Sequence, residues 1–382
     1  MKNIRTVAMA AAVAAAAACF AAPIPVAAPA AAAATAAAQV RAADPLATPA
    51  RMSPKAPHAL MLGAAQAGLR LIAVGERGII IYSDLGGNGW SQAASPVGVT
   101  LTAVHFPDAE RGYAVGHDGA VLATRDGGRQ WKKVLDGVVI NELMLADAKR
   151  VVASASPAGA DQASNALADI EAALKFGPSR PLLSVWFRNP SAGWAVGAYG
   201  QIVRTTDAGA HWESLAARVP NPDGLHFNSI APGMDGSLLM AGEGGRVYRS
   251  TDSGSSWRAF DTGYKGQLYG VLEPVGGTLL AYGFGGRVLR SEDGGAHWQE
   301  QPQLGRKALV GGAVLSDGAI LLAARDGAIY RSTDVGRSFA VLQAGHGQEI
   351  ASMTLLGQAP VLSGVGGVYR IQGHEARKPG QE

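Results

Sequence analysis

Aspartate recurs in five similar segments of the chain, and these carboxylates are the side chains that most suggest chemistry. The segment at 249–257 reads RSTDSGSSW, and close copies stand at 124–131, 205–212, 291–298 and 332–339. A carboxylate repeated in one context could be catalytic, could ligate a metal or could cap a turn. The aspartates are Asp126, Asp207, Asp252, Asp293 and Asp334.

The composition of the repeated segment favours the turn. An aspartate two residues before a glycine accepts hydrogen bonds from backbone N–H groups, and the glycine permits a positive φ angle. A catalytic pair needs two carboxylates about 5 to 10 Å apart, and a calcium loop needs several acidic positions. One aspartate per repeat satisfies neither requirement. We therefore predict structural aspartates, no catalytic residue, no metal and no cofactor.

An aromatic residue closes each copy and is expected to bury its ring against the sheet that precedes it. These residues are Trp131, Trp212, Trp257, Trp298 and Phe339, and Trp90 closes a degenerate first copy. Most of the intervals are about 41 residues, and a glycine recurs upstream with the same period. Ala324 replaces that glycine in the sixth copy.

Each copy contains short β-branched or aromatic runs separated by turn residues. In the second copy the runs lie at 101–106, 112–116, 120–125 and 131–135. Four strands repeated about every 41 residues predict an all-β fold, a β-propeller of four-stranded blades. Seven copies predict seven blades, with six or eight as the alternatives. The seventh copy lacks the aspartate segment, and we expect residues 45–53 to supply its outer strand and close the ring.

One interval is twice as long as the others and contains residues 136–181. Ile140, Leu143, Met144 and Ala148 recur at helical spacing in its first half. The segment predicts a helical hairpin inserted between two blades; the alternative is a degenerate blade. Because the hairpin joins the outer strand of one blade to the inner strand of the next, it should lie on the face that carries the turns between second and third strands. The aspartate segments should lie on the opposite face.

The N-terminal composition predicts export. Residues 1–22 combine a short basic start with an apolar run, which is typical of a signal peptide. Residues 23–56, rich in alanine and proline, are expected to form a disordered linker before a propeller at 57–375 and a tail at 376–382. We expect a periplasmic protein; the alternative is a lipoprotein anchored through Cys19.

Charge and hydropathy exclude two further classes. The formal net charge of +3 gives no basis for general nucleic-acid binding. Beyond the N-terminal segment, no run approaches the 18 or so apolar residues of a membrane-spanning helix. We expect a monomer without a transmembrane segment after removal of the leader.

The repeated segment resembles the Asp box, or bacterial neuraminidase repeat, which occurs in sialidases, other glycosidases and non-enzymatic propellers. The runs at 181–213, 221–230, 241–257 and 282–298 resemble the photosynthesis system II assembly/stability factor family, over most of residues 58–373. The resemblance implies a secreted, non-enzymatic seven-bladed propeller that binds a membrane protein or its exposed terminus through arginines. The alanine-rich leader indicates a relative from a non-photosynthetic bacterium. The alternative function is that of a glycan-binding or glycoside-hydrolysing propeller of the sialidase type.

Six arginines are the candidate partner-binding residues, because guanidinium groups recognise carboxylates such as a peptide C-terminus. Four of them recur on the third strand immediately before the Asp box, and two follow the opposite turn. The alternative is that each arginine spans a blade interface and pairs with a neighbouring backbone or acid. The two that follow the turn are favoured for function because they lie nearer the face that carries the hairpin, which is the face that propellers usually use for binding. The first four are Arg204, Arg249, Arg290 and Arg331; the other two are Arg246 and Arg287.

Overall fold

A computed structural model describes residues 44–371, which form seven antiparallel sheets that follow one another along the chain. Six sheets have four strands each and the seventh has three within the described residues. The first strand of each sheet packs against the first strands of its two neighbours, and the first of these strands also packs against the first strand of the seventh sheet. The sheets are therefore blades around a ring, and the predicted seven-bladed propeller is confirmed.

The strands of a blade run from the centre of the ring outwards in chain order. Blades 1 to 3 comprise β1 Met61–Ala67, β2 Arg70–Gly75, β3 Ile80–Ser83, β4 Ser91–Ala93; β5 Leu101–His105, β6 Gly112–Gly116, β7 Val121–Thr124, β8 Lys132–Leu135; and β9 Leu182–Phe187, β10 Gly193–Gly197, β11 Ile202–Thr205, β12 Glu213–Ser214. The second strand is buried along its whole length in each of these blades.

The remaining blades repeat the same order with different strand lengths. Blades 4 to 7 comprise β13 Phe227–Pro232, β14 Leu238–Gly242, β15 Arg246–Ser250, β16 Arg258–Asp261; β17 Leu268–Val275, β18 Thr278–Gly283, β19 Val288–Ser291, β20 Gln299–Glu300; β21 Leu309–Val314, β22 Ile320–Ala324, β23 Ile329–Ser332, β24 Ala340–Gln343; and β25 Ile350–Leu356, β26 Ala359–Gly364, β27 Gly367–Arg370. Outer strands of two to four residues are common to all six four-stranded blades.

The recurring glycine at the end of the second strand is required by a close approach between backbones. A Cβ atom built on Gly197 would lie 2.2 Å from the carbonyl oxygen of Pro181, just before β9. The same carbonyl accepts a hydrogen bond from the N–H of Ala198 at 3.0 Å. This contact ties the turn after the second strand to the start of the first strand. The need for this close approach in each blade explains why the glycine recurs with the period of the blades.

Within residues 44–371 the ring closes without a shared strand, and the prediction that residues 45–53 complete the seventh blade is wrong. This segment lies instead against blades 1 and 2. The N–H of Ala50 donates to the Ser95 carbonyl (3.1 Å) and the N–H of Gly98 donates to the Pro45 carbonyl (2.8 Å). Closure rests on the packing of β1 against β25, with a hydrogen bond from the Gly357 N–H to Gln66 Oε1 (3.0 Å).

The disordered linker predicted for residues 23–56 is also wrong in its last part. Leu46, Ala50 and Ala56 are buried, and the Ser53 N–H donates to Gln92 Oε1 at 2.8 Å. A segment of small residues needs few large side chains when the blades already provide an apolar surface, and composition alone does not reveal such docking. The part of the linker before residue 44 lies outside the described residues.

The insertion is the predicted helical hairpin, formed by α1 Gly137–Ser154 and α2 Ala160–Leu174. Asp136 caps α1, since its carboxylate accepts from the N–H of Val138 at 3.1 Å. Ile140 and Met144 are buried against blades 2 and 3. The α1 helix contacts the turn His117–Gly119 between β6 and β7, which confirms that the hairpin lies on the face of the turns between second and third strands. We call this face the turn face.

Several sequence predictions lie outside the described residues. They are the signal peptide at 1–22, the lipoprotein alternative at Cys19 and the tail at 376–382. Between residues 44 and 371, none of the helices has the length and apolar character needed to cross a bilayer.

A half-buried histidine makes stability depend on pH. His105 accepts a hydrogen bond from the Phe187 N–H (3.2 Å) across the interface of blades 2 and 3, and burial lowers its pKa from 6.5 to about 4. The folded state therefore favours the neutral ring. The stability so contributed is present above pH 6.5 and is lost as the pH falls towards 4, by at most about 3 kcal/mol.

Thermal unfolding between pH 7 and pH 4 tests this expectation. His105→Gln keeps an acceptor but removes the titration, so the unfolding midpoint should depend less on pH in this range. His58→Gln, at an exposed histidine without an acidic partner among the described residues, is the matched control and should leave the dependence unchanged. An unchanged slope in His105→Gln would contradict the assignment.

Candidate functional site

The Asp-box aspartates accept hydrogen bonds from their own turns. Asp252 Oδ1 accepts from the Ser250 hydroxyl (2.8 Å) and the Ser256 N–H (2.8 Å), and its other oxygen accepts from the Ser256 hydroxyl (2.6 Å). These bonds, above all those from Ser256, lower the pKa of Asp252 to about 2. Gly254, at φ 86°, donates its N–H to the Ser250 hydroxyl. The carboxylate is therefore engaged within its turn.

The same arrangement recurs in blades 2, 3, 5 and 6. In each, the first aspartate oxygen accepts from the hydroxyl two residues earlier and from the N–H four residues later. The tryptophan indole N–H of three copies donates to the carbonyl of the box glycine. The donors are Trp131, Trp212 and Trp298, at 3.0, 3.2 and 2.8 Å. The Trp257 indole N–H has no such partner, and Phe339 is partly buried in blade 6.

The arginines before the Asp boxes cross from one blade to the next. Arg204 donates from Nη1 to the carbonyl of Ser253 (2.9 Å), the residue that follows Asp252 in blade 4. Arg290 donates from Nε to the carbonyl of Val335 (2.8 Å), which occupies the same position in blade 6. These two side chains therefore bond to the neighbouring Asp-box turn, as the alternative interpretation proposed.

A third arginine makes the same bond, although the period of the repeat does not reveal it. Arg70 donates from Nη1 to the Gly127 carbonyl (2.8 Å) in the Asp box of blade 2 and forms two further bonds to Asp84 (2.6 and 2.9 Å). Arg70 lies on β2, whereas Arg204 and Arg290 lie on third strands. It therefore does not share the period of the other arginines.

The two other arginines of this group are held within their own blades. Arg249 donates to Asp235 Oδ2 (2.8 Å) and Arg331 donates to Asp317 Oδ2 (2.8 Å). Both acids lie in the turn between the first and second strands, on the Asp-box side of the blade. These arginines are thus separated from the turn face.

Arg246 begins β15 of blade 4, and Arg287 immediately precedes β19 of blade 5; both lie at the turn face. Arg246 Nη1 lies 3.5 Å from Asp261 Oδ2, and Arg287 pairs with Glu300 on the outer strand of its blade. Their side chains are 36% and 40% exposed, so each presents part of its guanidinium to solvent.

An aromatic and polar strip crosses the turn face beside these two arginines. Tyr199 is 55% exposed at the tip of the turn after β10, with a φ of 56° that is unusual for a bulky residue. The Arg180 guanidinium lies over its ring, 5.1 Å from the centroid, which is within the roughly 6 Å of a cation–π contact. The His226 ring meets it edge to face, with the two ring centroids 4.7 Å apart. Burial lowers the pKa of Arg180.

The strip continues across blades 4 and 5 through side-chain hydrogen bonds. Glu243 accepts from the His226 N–H (3.3 Å) and from Gln267 Nε2 (3.2 Å). The Tyr264 hydroxyl donates to the carbonyl of Phe284 (3.3 Å), whose ring is 60% exposed. We call this set the turn-face strip. It comprises Arg180, Tyr199, His226, Glu243, Gln267, Tyr264 and Phe284.

Sequence reasoning did not select the strip. The available signal was the presence of a large aromatic residue in the turns AYG and FGG, where the other blades have small or charged residues. The period of the repeat identifies these segments as turns but does not indicate which of their side chains stay exposed.

The centre of the ring offers only a small cavity of about 280 Å³. One to three residues from each inner strand line it, and Arg325 lies at one side. The polar members are Thr102, Ser184, Asn228, Ser229, Tyr269 and Ser352. Across residues 44–371, no group of three or more histidine, cysteine or acidic side chains could hold a metal ion.

The chain is similar in sequence to one protein family and in fold to several solved propellers. Residues 168–271, from α2 to β17, match the profile of the family described as photosynthesis system II assembly factor YCF48. The resemblance found in the sequence is thereby confirmed for this segment. No curated protein matches the chain significantly.

Solved structures share the propeller over most of the chain. A structure titled YCF48 bound to D1 peptide has a TM-score of 0.59 at 17% identity, covering 82% of this chain and 92% of that one. YCF48 from Cyanidioschyzon merolae gives 0.58 at 15% identity, covering 83% and 96%. The WD40 propeller domain of Doa1 gives 0.57 at 9% identity, covering 86% and 96%. At these identities the likeness establishes the fold.

The Asp-box hydrogen bonds predict a pair of opposite stability effects. Asp252→Ala removes a turn cap and should lower the free energy of unfolding by about 1 kcal/mol. Blade 1 has Leu85 at the equivalent position, 70% exposed, although Ser83 still accepts from the Gly87 N–H at 2.9 Å. Leu85→Asp should therefore supply the missing cap and raise stability by about 0.5 kcal/mol. Denaturant unfolding measures the free energy of unfolding of both variants. An Asp252→Ala variant with an unchanged free energy of unfolding would contradict the structural role of this aspartate.

The inter-blade arginines predict a second contrast. Arg290 is 6% exposed, and Arg290→Ala leaves the Val335 carbonyl without its donor. We expect a loss of about 2 kcal/mol. Arg287→Ala removes the exposed ion pair with Glu300 in the same blade. It should lower the free energy of unfolding by less than about 1 kcal/mol. Equal losses in the two variants, measured by urea unfolding, would show that the inter-blade bond does not stabilise the ring.

Proposed function

We propose that this chain is a secreted, non-enzymatic binding protein that acts as an assembly or stability factor for a membrane-associated complex. Its turn-face strip holds an extended segment or exposed terminus of a protein partner. The observation that carries the proposal is the row of exposed Tyr199 and Phe284 rings joined by the Glu243 and Gln267 side chains between them.

The shape and chemistry of the strip favour a peptide. It crosses three blades, whereas the central cavity of about 280 Å³ is small for a drug-sized ligand. Exposed aromatic rings supply contact area at low entropic cost, and half-buried polar groups supply orientation. Arg180, Arg246 and Arg287 favour an acidic segment or a free carboxyl terminus.

The comparisons support the same site. The segment that matches the assembly-factor profile, residues 168–271, contains six of the seven residues of the strip and also Arg246. One of the structurally similar propellers was solved with a peptide bound. A protein partner is therefore preferred over a glycan, and the N-terminal leader is the basis for placing the protein in the periplasm, where we expect it to act as a monomer.

The absence of enzymatic activity is proposed from the state of the carboxylates. The repeated aspartates accept hydrogen bonds within their own turns, and burial or ion pairs hold the arginines before the Asp boxes. A sialidase-type activity would need free carboxylates and arginines that converge on one substrate.

A peptide panel tests the proposed function. Labelled peptides with acidic, neutral or basic sequences, each with a free or an amidated C-terminus, are titrated with the full chain and followed by fluorescence anisotropy. We expect the acidic peptides or the free carboxyl termini to bind, and Tyr199→Ala and the Arg246→Ala, Arg287→Ala double variant to weaken binding by about tenfold. The variants should keep their melting temperatures.

Arg331→Ala is the matched control, since Arg331 is 36% exposed and pairs with a single acid on the Asp-box side. It should bind as the unaltered chain does. Retention on a glycan array together with no binding of any peptide would refute the proposal and favour the sialidase-type alternative.

A further inference from the structure

The outer edge of blade 7 differs from those of the other blades. β27 pairs with β26 on its inner side, and the Ile371 N–H donates to the Pro360 carbonyl at 3.3 Å. Backbone groups alternate in direction along an antiparallel strand. The N–H and C=O groups of Val368 and Arg370 therefore point away from β26, and no strand within residues 44–371 pairs with them.

Arg370 also differs from its counterparts in the other blades. It occupies the third-strand position of Arg204, Arg249, Arg290 and Arg331, each of which has an acidic partner. Those partners are Glu213, Asp235, Glu292 and Asp317. Arg370 is exposed and has no acidic partner among the described residues.

Blade 3 shows what a completed edge looks like at this position. Its outer strand, β12, consists only of Glu213 and Ser214, and Glu213 stands directly opposite Arg204. Glu213 Oε1 accepts from Arg204 Nε (2.8 Å) and Nη2 (2.6 Å). A short strand with one acid opposite the arginine is therefore sufficient to complete a blade of this ring.

We propose that the outer edge of β27 binds an extended acidic segment of another polypeptide by strand addition, with a glutamate or aspartate opposite Arg370. Backbone hydrogen bonds to Val368 and Arg370 supply affinity, and the ion pair supplies specificity. The Pro57 carbonyl lies beside Gly367, where an added Cβ atom would be only 2.2 Å from it. Because Pro57 occupies the edge at this point, the incoming strand begins at Val368 and continues past Arg370. This surface is on the rim of blade 7 and does not depend on the turn-face strip.

A charge exchange tests the ion pair. The probe is a fluorescein-labelled peptide of alternating threonine and valine with one central glutamate, and the control peptide has lysine in place of that glutamate. We expect the glutamate peptide to bind the full chain and to bind the Arg370→Glu variant at least about tenfold more weakly. The lysine peptide should show the opposite preference, which a merely structural role of Arg370 would not produce.

Arg331→Glu is the matched control, because blade 6 has its outer strand β24 in place. It should leave the affinity for the glutamate peptide unchanged. Failure of the glutamate peptide to bind the full chain, or equal binding of the two peptides, would overturn the proposal.

Amide hydrogen exchange of the full chain locates the bound strand. The Val368 and Arg370 amides should exchange rapidly in the free protein and slowly with the glutamate peptide, whereas the Tyr369 and Ile371 amides should be protected in both states. Protection of Val368 and Arg370 in the free protein, lost in a variant truncated after Ile371, would show that residues 372–382 fill the edge. That result would overturn the proposal.

Discussion

The ring depends on bonds that cross from one blade to the next. The strands of each described sheet pair with one another, so contacts between side chains fix the relative positions of the sheets. The arginine that donates to the carbonyl after the next blade's aspartate provides this in three of the seven interfaces, through Arg70, Arg204 and Arg290. The acceptor is available because the aspartate has already turned the chain and directed that carbonyl outward. The Asp box and the arginine are thus two parts of one joint.

Because the Asp box and its arginine lie on one side of the ring, the two faces of the propeller differ in role. The Asp-box side holds the structure together, and the turn face is free for recognition. On the Asp-box side, the carboxylates, hydroxyls and most of the arginines are used in holding turns and neighbouring blades. On the turn face, the turns are held mainly by backbone hydrogen bonds such as that from Ala198 to Pro181. The side chains of Tyr199 and Phe284 are therefore not needed for the turns that carry them. The turn face therefore has side chains that the fold does not use and that can contact a partner.

The sequence predicted features that repeat and missed features that depend on a single contact. Blade number, the hairpin at 136–181 and its face follow from periodicity, since each repeat meets the same local requirements. The role of Arg204 depends on a carbonyl 49 residues away, and spacing alone left two interpretations open. Arg70 and Tyr199 each occur in one blade and leave no period. The docking of residues 44–56 depends on a surface that only the assembled blades provide.

The closure between β25 and β1 has a consequence for how the molecule loses its structure. In a ring sealed by a strand from each end of the chain, neither terminal blade can detach without breaking a sheet. Here each terminal blade is a sheet of its own, and the seam between them consists of side-chain packing and the hydrogen bond between Gln66 and Gly357. Opening at this seam separates the two terminal blades and leaves every described sheet intact. The molecule would then behave as a linear array of blades for as long as the seam is open.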